Sequence, residues 1–196
     1  NEVEKKEMRA DKEHTPVDIE ASCELMRRMV ELEETRGIEA IYTIDGGFDP
    51  SGGLARGSCA AVRHCGKVLG GAMWDAQLRY RSYQAELGAR ILALAVGQGK
   101  RTMILYDATS PAEALIRFRS LHDRHRSSHL LDDWLALASG HLSECAALTE
   151  MWLPAHVGLL PNELADVQCT KFMKDISTRF WLSLSLWSIR SWLSFP

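Results

Sequence analysis

The feature that most restricts the fold of this sequence is a series of three strand-like segments between residues 38 and 75. The segments are IEAIYTIDG, GSCAAVRHC and KVLGGAMWD, and they are separated by a glycine-rich turn and by Gly66. Consecutive strands joined by short turns pair as antiparallel neighbours. The sequence therefore predicts an antiparallel meander of three strands at the start of a sheet.

Helix-like and strand-like segments alternate after this meander. The segment YQAELGARILALAVG has apolar residues three and four positions apart, which predicts a helix at 83–97 closed by Gly97 and Gly99. A buried strand (TMILYDA), a helix opened by Pro111, a second helix (LLDDWLALASG), a short strand (LTEMWLP) and a last helix (PNELADVQCTKFM) follow. This order predicts an α/β fold in which helices cover a mixed sheet.

Residues 1–37, before the meander, have a different character. Residues 1–14 are charged and lack apolar periodicity, which predicts a solvated tail. Thr15, Pro16 and Asp18 are typical of a helix start, with a capping hydroxyl, a proline at the first helical position and an acid in the first turn. The spacing of the following apolar residues predicts an amphipathic helix that ends at about Arg36, before Gly37. We expect 1–37 to be a charged tail and a linker helix.

The composition fits one globular domain with appended segments. The chain has 196 residues, of which 46% are hydrophobic and 25% charged, with a net charge of -3. Proteins that bind nucleic acid are usually basic, so such a function would depend here on local charge or on metal ions. The five cysteines show no zinc-ligand spacing, and their odd number favours free thiols in a reducing intracellular compartment, the nucleus or the cytoplasm.

Four carboxylates, Asp45, Glu86, Asp107 and Asp166, occupy positions that such a sheet brings together. Each alone is more typical of a turn or a cap. Four acids in one pocket repel one another unless cations neutralise them, and Mg²⁺ prefers hard oxygen ligands of this kind. Two such ions about 4 Å apart can promote phosphodiester cleavage.

The sequence around each acid resembles a motif of the ribonuclease H family. YTIDGG is similar to its first metal-binding strand, SYQAEL to the region of its helical glutamate, and LYDATS to that of its second aspartate. WLPAHVGLLPNELAD, which contains His156 and Asp166, resembles its C-terminal signature. The resemblance covers about residues 38–172, which defines the predicted domain.

The resemblance implies a five-stranded mixed sheet, three antiparallel strands followed by two parallel ones, and an endoribonuclease that cuts the RNA strand of RNA/DNA hybrids to leave a 5′-phosphate. It implies two Mg²⁺ ions, for which Mn²⁺ can substitute, with Asp45 on both, Glu86 and Asp107 on one, and Asp166 on the other. His156 would serve proton transfer and product departure, and the ordinary pKa of histidine suits that work.

The phrase from Trp152 to Asp166 is most similar to the ribonuclease H domain of non-LTR retrotransposon polyproteins. This likeness implies a covalently linked reverse transcriptase domain upstream, and an N-terminal Asn is consistent with a piece of a longer polyprotein. The motifs depart from the family at Gly47, where relatives often have Ser, and at Ala108, where Ser is common. Neither change removes a ligand. No feature of the sequence indicates a homo-oligomer.

Two further regions are candidates for substrate contact. The resemblance implies that Gly46, Gly47 and the backbone of Phe48, with Ser82, Tyr83 and Gln84, line the minor groove and sense 2′-hydroxyls; Ser82 also fits a helix N-cap. Phosphate contacts fall to a basic run that fits a solvated loop equally well. Its members are Arg117, Arg119, Arg124 and Arg126, with His122, His125 and His129.

The C-terminal extension, 173–196, is apolar but interrupted by serines and Arg190, and it is too short to span a bilayer. Packing on the domain or on a missing neighbour is favoured over a membrane role, and readthrough sequence also fits it. Two functional alternatives also stay open. One is a domesticated, non-catalytic scaffold module in a nucleoprotein assembly; the other is an exonuclease or integrase on the same fold, which the context of Asp166 disfavours.

Overall fold

The computed structural model describes residues 16–50, 55–64, 68–75, 81–120 and 130–174. The whole N-terminal tail, much of the basic run and nearly all of the C-terminal extension thus lie outside the described residues. The elements in chain order are α1 (Ile19–Arg36), β1 (Ala40–Asp49), β2 (Ala55–Arg63), β3 (Val68–Asp75), α2 (Ser82–Val96), β4 (Arg101–Tyr106), α3 (Thr109–Ser120), α4 (Leu130–Glu144), β5 (Ala147–Trp152) and α5 (Leu160–Lys174).

The five strands form one mixed sheet in the order β3-β2-β1-β4-β5. β1, β2 and β3 pair antiparallel, whereas β1 with β4 and β4 with β5 pair parallel. The short stretches of chain between β1, β2 and β3 permit the antiparallel pairs, and helical crossovers permit the parallel ones. The predicted α/β architecture with a mixed sheet is confirmed, as is the division into three antiparallel strands and two parallel additions.

The central strands β1 and β4 are buried on both faces of the sheet. On one face, Tyr42, Ile44 and Ile104 pack in a core with residues of α2, α3 and α4. On the other face, a smaller cluster joins Ile41, Met103, Leu105 and Leu153 to Met29 of α1. The residues of β1 alternate between the two cores because successive side chains of a strand point to opposite faces.

Helix α1 begins three residues later than the prediction at Pro16. Asp18 is its N-cap, and the Asp18 side chain accepts a hydrogen bond from the Ala21 N–H at 2.9 Å, which satisfies a donor that the helix start leaves free. The predicted end at Arg36 is confirmed, with Gly37 in the left-handed conformation at φ +59. We predicted a linker helix here; the structure packs α1 on the sheet through Met29.

Within the described residues, no helix combines the length and the apolarity that crossing a bilayer requires.

Candidate functional site

Parallel pairing of β1 with β4 brings Asp45 and Asp107 to the same end of the sheet. Thr43 lies opposite Leu105, and the same offset two residues later sets Asp45 beside Asp107. This end is the carboxyl end of the central parallel strands, where α/β sheets commonly bind ligands.

Gly46 permits α2 to approach the end of β1. A Cβ atom at position 46 would lie 2.2 Å from the backbone nitrogen of Glu86, so no larger residue fits without displacing the helix. The close approach places the Glu86 carboxylate with those of Asp45 and Asp107. Ligand oxygens of all three acids lie within 4.8 Å of one another.

Helix α5 presents the fourth acid, Asp166, to this group. Asn162, Asp166 and Cys169 recur at helical spacing and therefore share one helix face. At one end of this face the Asn162 Nδ2 donates to Asp107 Oδ2 at 3.2 Å, and at the other the Cys169 Sγ donates to the backbone oxygen of Asp45 at 3.0 Å. Asp166 lies between these two contacts, and its charge is one of the causes that raise the pKa of Asp45.

Burial and the charges of neighbouring acids disfavour the charged forms of Asp45 and Glu86. Burial, followed by the charges of Asp107 and Asp166, raises the pKa of Asp45 to about 6. Burial, followed by the charges of Asp45 and Asp107, raises the pKa of Glu86 to about 9. A bound cation would relieve this repulsion, and the ligand atoms are hard carboxylate oxygens, so the group suits Mg²⁺ or Mn²⁺.

A second group that can hold a cation contains Asp166, whose charge also acts on Asp45 of the first group. Its members are His156, Glu163 and Asp166, whose ligand atoms lie within 4.8 Å of one another. His156 is exposed and has a left-handed φ of +52, in the loop between β5 and α5. Glu163 is only 6% exposed and accepts a hydrogen bond from the Gly158 N–H at 3.2 Å.

Glu163 and Arg90 were not among the residues predicted for the site. The signal for Glu163 was its position three residues before Asp166, which sets both acids on neighbouring parts of one helix face. The signal for Arg90 was an arginine in an otherwise apolar helix, four residues after Glu86. Arg90 is 1% exposed, forms an ion pair with Glu150 of β5, and lies with Cζ 4.7 Å from the centroid of the Tyr106 ring.

The residues predicted to sense 2′-hydroxyls lie next to the carboxylates. Gly46 and Gly47 follow Asp45 in β1, and Ser82, Tyr83 and Gln84 form the first turn of α2. The alternative that Ser82 is an N-cap is wrong, because Arg81 occupies that position and its N–H donates to the Gln84 Oε1 at 2.8 Å. The Gln84 side chain thus satisfies the backbone N–H of the N-cap residue itself.

The basic run lies only partly within the described residues. Arg117 and Arg119 are exposed in the last turn of α3, and Arg117 pairs with Glu113 at 3.2 Å. Since α3 starts two residues after Asp107, a rise of 1.5 Å per residue sets these arginines roughly 15 Å along the helix. Arg124, Arg126 and the three histidines of the run fall outside the described residues.

Comparisons with known proteins give no match, either to a family model or to a curated protein. Inference of function therefore depends on the geometry of the site and on the sequence motifs.

Proposed function

We propose that the chain is a ribonuclease H domain with a ribonuclease H-like fold, an endoribonuclease that hydrolyses the RNA strand of RNA/DNA hybrids. The observation that carries this proposal is the convergence of Asp45, Glu86 and Asp107 within 4.8 Å at the carboxyl end of the central strands. The charge of Asp166, on α5, acts on Asp45 of this group. The order of strands and the motifs around the acids support the same class of protein.

The carboxylates fit a divalent cation in chemistry as well as in position. Asp45, Glu86 and Asp107 would hold one Mg²⁺, and Asp45 with Asp166 would hold a second. Bound Mg²⁺ would neutralise these acids and polarise the scissile phosphate toward attack by water. The raised pKa values of Asp45 and Glu86 support a site that gains from cation binding, because the acids repel one another without it.

The other residues of the site have separate tasks in this proposal. The backbone at Gly46 and Gly47 and the first turn of α2 contact the RNA strand through its 2′-hydroxyls, which distinguish RNA from DNA. His156 is exposed beside Asp166 and exchanges protons with the departing product. The likeness of the segment from Trp152 to Asp166 to retroelement enzymes further suggests a reverse transcriptase domain upstream of this one.

Replacing a ligand without changing its shape tests the proposal. We expect Asp45→Asn and Asp107→Asn to abolish cleavage of a labelled RNA/DNA hybrid in Mg²⁺, because each removes a charged ligand. We expect hybrid binding, measured by fluorescence anisotropy, to persist. Glu20→Gln is the matched control, since Glu20 lies exposed on α1, and it should cleave as the wild type does. Full activity in either aspartate variant would refute the assignment.

Two further assays separate the alternative functions. EDTA should stop cleavage, and a wild-type protein that binds hybrid without cutting it in Mg²⁺ or Mn²⁺ would indicate a non-catalytic scaffold module. A substrate panel of hybrid, duplex DNA and duplex RNA should show cleavage of the hybrid alone. Preferential cleavage of duplex DNA would instead indicate another nuclease on the same fold.

A further inference from the structure

We infer that Asn162 is a positioning residue that fixes the orientation of the Asp107 carboxylate for cation binding. This inference rests on the proposed function, since it concerns the same cation site. Asn162 lies in the first turn of α5, and its backbone is fixed by a hydrogen bond from its N–H to the Leu159 carbonyl at 2.9 Å. Its side chain contacts Asp107, a proposed metal ligand, but Asn162 is not itself one of the proposed ligands.

The backbone of Asp107 is held independently of its carboxylate. The Trp152 Nε1 donates to the Asp107 carbonyl oxygen at 2.9 Å, which ties the end of β4 to the end of β5. The carboxylate can still rotate about χ2, a torsion with a broad, roughly two-fold preference. Position of the backbone alone therefore does not determine which way the two carboxylate oxygens point.

The Asn162 amide restricts the rotation of the Asp107 carboxylate that the backbone contacts leave free. Its Nδ2 donates to Asp107 Oδ2 at 3.2 Å, so Oδ2 is engaged and Oδ1 is left for a cation. Donors that orient metal ligands in this way are a general feature of metal sites. An amide is suitable because it carries no charge and adds no further repulsion to the three acids.

The burial of Asn162 is not explained by stability. The residue is 2% exposed, and its Oδ1 has no hydrogen-bond partner within the part of the chain that the structure describes. A buried polar atom without a partner costs free energy, so an apolar side chain of similar size would be tolerated equally well by the fold. A role in orienting the Asp107 carboxylate explains why a polar residue is buried at this position, whereas packing alone does not.

Calorimetric titration of the protein with Mn²⁺ alone, without nucleic acid, tests the inference. We expect Asn162→Ala to bind Mn²⁺ about 10- to 100-fold more weakly than the wild type, the usual loss when an orienting partner of a metal ligand is removed. Asn162→Ser, which keeps a donor on a shorter side chain, should fall between the two. Leu164→Ala changes the exposed face of the same helix and should match the wild type.

Two other measurements distinguish positioning from a structural role. The metal-free melting temperatures of Asn162→Ala and the wild type should agree within a few degrees, and the loss in hybrid cleavage should fall on kcat rather than on KM. Wild-type affinity for Mn²⁺ in Asn162→Ala would overturn the inference while leaving the proposed function intact. A similar loss of Mn²⁺ affinity in Leu164→Ala would also overturn the inference. A wild-type protein that binds no Mn²⁺ would overturn both.

Discussion

Arg90 is a buried charged residue on α2, one helical turn after Glu86. Its guanidinium is buried, and two of its nitrogens, Nε and Nη2, have no hydrogen-bond partner among the described residues. The ion pair with Glu150 and the stacking on Tyr106 offset part of this cost. Burial lowers the pKa of Arg90 to about 10, which still leaves it charged at neutral pH. It therefore keeps one positive charge beside Glu86.

Replacement of this ion pair in two steps should show what it contributes to stability. We expect Arg90→Met to destabilise the protein by on the order of 2 kcal/mol, because it leaves Glu150 without its partner in a partly buried position. The double variant Arg90→Met, Glu150→Met should recover most of this loss, since two apolar side chains pack where two charges were held. Urea unfolding at pH 7 measures both. Equal destabilisation of the single and the double variant would show that the pair is not coupled.

The elements differ in how far the sequence determined them. The strand β1 and the helix α2 were predictable because alternation, helical spacing and glycines mark them locally. The packing of α1 on the sheet was not, because an amphipathic helix shows the same spacing whether it covers its own domain or links two. The contribution of Glu163 and Asn162 to the site likewise depends on the angle at which α5 crosses the end of the sheet, which no local pattern records.

At Gly46 the backbones of β1 and α2 come so close that a methyl group there should separate them. We expect Gly46→Ala to destabilise the protein by about 3 kcal/mol or more, since the obstruction is the backbone of Ala85 and Glu86 rather than a flexible side chain. Displacement of Glu86 should also weaken Mn²⁺ binding. Gly140→Ala in α4 is the matched control, because its Cβ would meet nothing within 4 Å.

The control should behave in the opposite way. Alanine has a higher helix propensity than glycine, so Gly140→Ala should stabilise the protein by about 0.5–1 kcal/mol. Thermal and urea unfolding of both variants, with calorimetric titration of Mn²⁺, measures the contrast. Near wild-type stability and Mn²⁺ affinity in Gly46→Ala would show that α2 can move without cost and that the close approach does not define the site.

Helix α1 supplies a cap to α5. The buried Ser22 Oγ accepts a hydrogen bond from the Leu160 N–H at 2.9 Å, and the Asp18 N–H donates to the Gly158 carbonyl at 2.9 Å. These two contacts hold Gly158 and Leu160, which follow His156 in the chain. Residues at the start of α1, which lie outside the predicted domain of 38–172, therefore help to hold the loop that contains His156.

Removal of the Ser22 hydroxyl tests this role of α1. We expect Ser22→Ala to cost about 1–2 kcal/mol in unfolding free energy, because it leaves the Leu160 N–H without its acceptor at a helix start. Faster amide hydrogen exchange at 157–161 should accompany the loss. Ser143→Ala is the control, since Ser143 is exposed and its hydroxyl donates to the Gly140 carbonyl of its own helix. Unchanged exchange in Ser22→Ala would show that α1 does not brace the loop.

For the whole molecule, the net charge does not describe the local charge at the end of the sheet where the candidate site lies. A net charge of -3 would be unfavourable for nucleic-acid binding if it were spread evenly. The structure instead brings Asp45, Glu86 and Asp107 together at one end of the sheet, with the charge of Asp166 acting on Asp45, and the two cations of the proposed site would neutralise this local charge. Composition could not indicate this, because the effect depends on which acids the fold brings together. Stability of the whole fold should therefore depend on pH and on metal together.

The sign of this dependence follows from the raised pKa values. Folding lifts the pKa of Glu86 from an ordinary 4.5 to about 9, and that of Asp45 from 3.8 to about 6, so between these limits the folded state binds more protons than the unfolded state. The contribution of these two acids to the free energy of unfolding is therefore greatest at low pH and decreases as the pH rises toward 9. We expect the metal-free melting temperature to fall between pH 5 and pH 8.5 for this reason.

Divalent metal should reverse the trend. Cations bind the deprotonated carboxylates of the folded state, so the rise in melting temperature on adding Mn²⁺ should be larger at pH 8.5 than at pH 5. Glu86→Gln removes the group with the largest shift, and its metal-free melting temperature should vary less with pH than that of the wild type. Glu20→Gln should retain the wild-type profile. A metal-free protein whose stability rises steadily from pH 5 to pH 8.5, with an equal response to Mn²⁺ at both, would contradict a buried, mutually repelling carboxylate group.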